Sequence, residues 1–201
     1  MKTRNSHFII ILITLVFSSE LFSQTLSNLE RINLLVDIST EKISSSLQDT
    51  SDSYSLVNKT PSEYSILNNR VIASLSKNRI KIDNDSSHSN QIDYLISHAG
   101  VEYSDLFRDG LFGEYLLERK FDIMGNYVVE KTGIVISSDT FEISKMDTIS
   151  YNNFAFIENN SLPFTKANVP SEPFLPSIIE PVIAITAIAV TIILFFTVRS
   201  K

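Results

Sequence analysis

The chain has 201 residues, with 17 Lys and Arg against 23 Asp and Glu, a formal net charge of -6. It contains no cysteine, which excludes disulfide staples, thiolate metal sites, thiol redox chemistry and lipid attachment at a cysteine. The acidic balance argues against nucleic acid and against an electrostatic grip on anionic lipid.

Residues 8–17 form an apolar run behind Lys2 and Arg4. About ten residues are too few to cross a bilayer, which takes roughly 20. Ser18-Ser19-Glu20-Leu21-Phe22-Ser23 follows, with small Ser23 as the last residue of the signal, so residues 1–23 read as a secretion signal whose cleavage leaves Gln24 first. An uncleaved N-terminal anchor is the plainer alternative.

Beyond the signal, residues 26–47 read as a helix. Leu29, Ile32, Val36, Ile43 and Leu47 recur at helical steps, with Glu30, Asp37 and Glu41 on other faces. Tyr54-Ser55-Leu56-Val57 reads as a short strand. Thr60-Pro61-Ser62-Glu63 supplies a cap, a first-turn proline and a capping glutamate. Tyr64, Leu67, Val71 and Leu75 form the stripe of the helix that follows, ending near Asn78. Residues 79–83 alternate like a strand, so the unit predicts two parallel strands with a helix crossing between them. Residues 84–90 read as a polar loop and 92–99 as a strand, although that segment would also tolerate a helix. Residues 101–112 give no clear period.

Residues 114–130 alternate over a long strand. Leu117, Arg119, Phe121, Ile123, Tyr127 and Val129 share one face, and Glu118, Lys120, Asp122, Asn126 and Glu130 share the other. That is the pattern of a sheet wet on one side. Lys131-Thr132-Gly133 makes the turn. The return strand runs through Ile134-Val135-Ile136 and 141–149, with a bulge at 137–139. Prolines 163, 170, 173 and 176 make 162–176 read as a stiff, extended stalk.

The last element is an apolar run over 178–198 whose only charge is Glu180. About 21 residues at about 1.5 Å each reach about 30 Å, the thickness of a bilayer core. Ser177 and Glu180 read as a capping box, with Pro181 in the first turn. Ile178, Phe195 and Phe196 belong to the apolar surface of the anchor. Arg199 and Lys201 favour the cytoplasmic side. A buried core helix is the alternative, but a soluble helix of this length shows a polar face. The boundaries are therefore a signal over 1–23, an extracytoplasmic domain over 24–161, a stalk over 162–176, a transmembrane helix over 177–198 and a tail over 199–201.

Chemistry is sparse. No serine sits in a Gly-x-Ser-x-Gly elbow. His88 and His98 lack metal-ligand spacing; His88 reads as solvated and His98 as partly buried. Glu102, Asp105 and Asp109 have helix-like spacing that would let them converge for acid–base work, although a solvated acidic face is the simpler explanation. Gly110 and Gly113 form no phosphate loop. Arg119, alone among apolar neighbours, predicts an acidic partner inside the sheet.

The segment from Leu117-Glu118-Arg119-Lys120-Phe121-Asp122-Ile123 to Gly133-Ile134-Val135-Ile136 resembles the "R-x-x-x-V … tG-x-V/I-x" hairpin of a group of bacterial envelope proteins. The group includes the curli secretion channel subunit, FlgO-type flagellar outer-membrane proteins and activators of penicillin-binding proteins. The resemblance covers about residues 32–149. Those proteins are typically N-terminal lipoproteins, whereas this chain carries a C-terminal helix, so pore formation is not carried over. The resemblance implies a non-enzymatic domain that assembles with other envelope proteins.

The expected fold is α+β: a mixed sheet with two N-terminal helices, a long C-terminal antiparallel hairpin and one transmembrane helix. The expected function is that of a non-enzymatic accessory or scaffold subunit at the bacterial inner membrane, with its domain in the periplasm. It needs no cofactor or metal, acts through other envelope proteins and is able to oligomerise. Arg119, Phe121 and Tyr127 are its expected structural or contact residues. The rivals are an envelope hydrolase using Glu102, Asp105 and Asp109, and a small membrane sensor.

Overall fold

A computed structural model describes residues 25–47, 52–83, 89–110, 113–171 and 174–199, and in the last segment the side chains of 181–197. The expected signal, His88 and Lys201 lie outside the described residues.

Helix α1 (Asn28–Ser46) starts at a capping box that the apolar spacing alone does not reveal. The Ser27 amide donates to Glu30 Oε2 at 2.7 Å, and the Glu30 amide donates to Ser27 Oγ at 3.3 Å. Donation from Ser27 also holds the Glu30 carboxyl below its ordinary pKa. Strand β1 (Ser53–Asn58) follows. The expected cap at Thr60 is not formed. Its hydroxyl accepts from the Ile96 amide at 3.2 Å, which commits it to the sheet. The chain instead makes a 3-10 segment (Ser62–Leu67) that runs into α2 (Asn68–Lys77).

Helix α2 ends in a Schellman turn. The Arg79 amide donates to Ser76 O and the Ile80 amide to Leu75 O, each at 3.0 Å. Arg79 takes φ 66°, where glycine is usual, and Ile80 joins Leu75 in the core. Because Arg79 and Ile80 stop the helix, the strand expected over 79–83 shortens to β2 (Lys81–Ile82). It pairs parallel to β1, as the sequence predicts.

Three long strands complete the sheet: β3 (Asn90–Arg108), β4 (Tyr115–Lys131) and β5 (Ile134–Ser150). The order is β2-β1-β3-β4-β5. Strand β1 is parallel to β2 and β3, and the remaining pairs are antiparallel. The sheet curls into a half-barrel, and the α+β class with a mixed sheet is as expected. Thr132 and Gly133 both have positive φ, which a two-residue type I′ hairpin requires. The β5 bulge falls at Ile136, because Val129 pairs with Ser137 and Glu130 with Val135.

Helices α1 and α2 share the main core with β1–β5, with Ile32, Val36, Val71, Leu75, Ile92, Ile96, Phe121, Ile123 and Phe141 all buried. A second, smaller core holds Tyr103, Leu117, Ile149 and Ile157 at the far end of β3–β5. The short helix α3 (Phe154–Ile157) closes it. The extended stalk expected over 162–176 is not extended in its first half. Thr165 is fully buried, Phe164 packs edge-on against Tyr64 at 5.4 Å, and Ala167 and Val169 pack on the second core. The prolines stiffen this segment, but its apolar residues find partners on the domain.

Helix α4 (Phe174–Arg199) begins before the expected cap. Ser177 lies inside the helix, and Pro181 sits about two turns in rather than in the first turn. The first-turn amides of a helix have no intrahelical partner, so Pro176 costs little near the start. Among the described residues, no helix is long and apolar enough to cross a membrane.

Candidate interaction surface

Among the described residues, strand β5 is the outer strand of the sheet and pairs with β4 alone. It is 17 residues long. An open edge of that length offers a row of backbone donors and acceptors to another chain. At its start, Ile134 and Val135 are 66% and 55% exposed, and farther along Met146 is 57% exposed. Asp139, Glu142 and Lys145 are also exposed and break up the edge with charge.

Arg119 holds this strand from beneath. Its side chain is fully buried. Its Nε and Nη2 donate to the two carboxylate oxygens of Asp147, directly opposite on β5, at 2.5 and 3.0 Å. Nη1 donates to Asn28 Oδ1 at 2.7 Å and Nη2 to Leu26 O at 3.0 Å. The guanidinium lies 5.0 Å from the centre of the Phe121 ring. Asn28 in turn donates to the Tyr103 hydroxyl at 2.9 Å and to Thr165 O at 2.8 Å. One buried network therefore joins the start of α1, strands β3, β4 and β5, and the 163–165 segment. Phe121 and Tyr127 are 1% and 4% exposed. These three residues support the surface and do not form it.

Burial pushes the Tyr103 phenol up to about 12 and also raises Tyr94 and Tyr64. An unfolded tyrosine loses its proton near pH 10. In the window from about 10 to 12, the unfolded chain therefore binds fewer protons than the folded one. Stability is full below about pH 10 and falls as pH rises through that window. Tyrosinate absorbance should show late-titrating phenols in the folded chain, and Tyr103→Phe should remove one of them.

The rival acidic site does not assemble. Glu102 and Asp105 lie on extended β3, Asp109 follows it, and all three are exposed. Steps of three and four residues along a strand separate them by about 10 Å and about 13 Å. No group of three His, Asp or Glu placed to hold a metal occurs among the described residues. His98 is exposed in mid-strand, not partly buried, and its Nε2 lies 2.9 Å from Asp122 Oδ2. It borders a cleft of about 700 Å³ between the 3-10 segment, β3 and residues 161–166. Gly110 has φ 74°, and Gly113 O accepts from Arg108 Nε at 2.8 Å. Of the expected anchor residues, Phe195 and Phe196 are exposed with their rings 5.9 Å apart, Pro181 is exposed within α4, and Ile178 and Glu180 lie on its helical backbone. Arg199 is its last residue.

No family model and no curated protein matches the chain. Among solved structures, a minor lipoprotein from Acinetobacter baumannii is distantly similar, at 13% identity and a TM-score of 0.32. The match covers 51% of this chain and 78% of that one.

Proposed function

We propose that the protein is a membrane-tethered, non-enzymatic scaffold or accessory subunit of the bacterial cell envelope. Its domain faces the periplasm and binds another protein by strand addition to β5. The observation that carries this reading is the 17-residue open edge with exposed Ile134, Val135 and Met146. Strand addition draws affinity from backbone hydrogen bonds and selectivity from alternate side chains.

The chemistry of α4 supports the tether. Residues 181–197 contain no Asp, Glu, Lys or Arg, and every one of them is exposed. An apolar helix whose described side chains all stay exposed is not stable in water, since burial of an apolar face supplies most helical stability. The hydroxyls of Thr186, Thr191 and Thr197 donate to the carbonyls four residues back at 2.7–2.8 Å. Polar groups satisfied within the helix suit a hydrocarbon surrounding. The described apolar side chains, 181–197, fall short of a full span by themselves, and the helical backbone continues on either side of them over Phe174–Arg199. The signal-like start and the absence of cysteine fit an exported bacterial domain.

The test is a pair of charged substitutions at exposed edge positions, Val135→Lys and Met146→Lys. Exposed sites such as these should shift stability by no more than about 0.5 kcal/mol. The partner recovered with the unaltered chain from detergent-solubilised membranes should be lost. Recovery of the same partner at the same yield would remove β5 from the contact.

A further inference from the structure

Two exposed phenylalanines lie at the other end of the long strands. Phe156 is 85% exposed on α3, beside buried Ile157. Phe107 is 44% exposed on β3, next to Leu106, which packs on the same small core. We propose that these two phenylalanines seat this end of the domain in the interfacial layer of the bilayer that takes α4. The inference rests on the reading of α4 as a tether.

Chain connectivity selects the occupant. Val169 packs on the small core with Leu117 and Ile149, and α4 begins at Phe174. That stretch reaches at most about 17 Å when fully extended. The membrane surface is therefore held close to this end. The β4–β5 hairpin is at the other end, because Lys131 lies 14 residues beyond Leu117 on β4, up to about 46 Å away. Aromatic side chains favour the membrane–water interface. Tyr115, with the Arg108 guanidinium 5.4 Å from its ring centre, adds an aromatic and a cation at the same end. Asp105, Asp109 and Glu114 are exposed there too, so attraction to anionic headgroups is not the driving force. Apolar insertion into a zwitterionic surface is. Seated in this way, the domain holds Ile134 and Val135 away from its own membrane, where an incoming strand meets them.

The cysteine-free chain allows a direct test. The full chain carrying Asp109→Cys or Ser138→Cys, labelled with a fluorophore, is reconstituted in phosphatidylcholine vesicles containing a headgroup quencher. Strong quenching at 109 and none at 138 is expected. Adding Phe107→Ser and Phe156→Ser should abolish quenching at 109 while the chain still floats with the vesicles and keeps its late-titrating tyrosines. Equal quenching at the two sites, or quenching at 109 that ignores the phenylalanines, overturns the seating and leaves the tether standing. A chain that does not float overturns both.

Discussion

Replacing Arg119 with alanine is expected to destabilise the domain by about 3–5 kcal/mol, the usual cost of removing one partner from a buried ion pair. The loss comes mostly from what remains. Asn28 Oδ1 and Leu26 O lose their donor, and Asp147 loses two bonds. Arg31 still reaches Asp147 Oδ2 at 2.7 Å, but from a side chain that is 36% exposed, so it does not restore the buried pair. Removing Asp147 as well should recover part of the loss. Arg119→Met with Asp147→Leu supplies apolar volume and removes the partly buried carboxylate together with its buried partner. Urea unfolding of the full chain in detergent, followed by tyrosine fluorescence since there is no tryptophan, separates the cases. Equal midpoints for the unaltered chain and Arg119→Ala would show that the network contributes little.

Gly125→Ala is expected to do comparable damage by a different route. A Cβ built at Gly125 would stand 2.0 Å from Leu95 O and 2.5 Å from the Phe141 ring. The first is backbone, so strand β3 must move. The second is a buried ring stacked on Tyr94 at 5.6 Å, and the Tyr94 hydroxyl lies 2.5 Å from Ser39 Oγ on α1. Overpacking in a core costs about 1–3 kcal/mol, and a backbone clash places this site at or above the top of that range. Gly125 pairs with Ile96 where the β3 register shifts between Ile96 and His98. The glycine and the bulge bend adjacent strands at the same level, which helps curl the sheet. Loss of cooperative unfolding in Gly125→Ala is the expected result, and an unchanged midpoint would contradict it.

The legibility of the strands follows from these bulges. Strand β4 keeps one alternation from Leu117 to Val129 and was readable throughout. Strand β3 changes phase. Ile92, Tyr94 and Ile96 are buried on even positions, then Ala99 and Tyr103 on odd ones, because Ser97 is an extra residue. A second shift between Tyr103 and Leu106 breaks the period again. A search for one period therefore finds a strand over 92–99 and nothing clear after it. Gly125 carried a signal of its own, a glycine inside a regular strand. The need of Arg119 for an acid was visible from its apolar face. Its partners were not, since Asn28 and Asp147 lie 91 and 28 residues away. The open edge became identifiable only with the strand order, because sequence alternation does not show which strand is last.

In the proposed function, β5 is the contact surface of a tethered domain. Site-specific photocrosslinking in intact envelopes tests it most directly. A crosslinker at Thr140 or Ser144, both exposed on β5, should join the chain to one discrete partner, and one at exposed Ser76 on α2 should not. The adduct should vanish with Val135→Lys and Met146→Lys. Adducts from α2 but not from β5, or no adduct from any β5 position, would contradict the account.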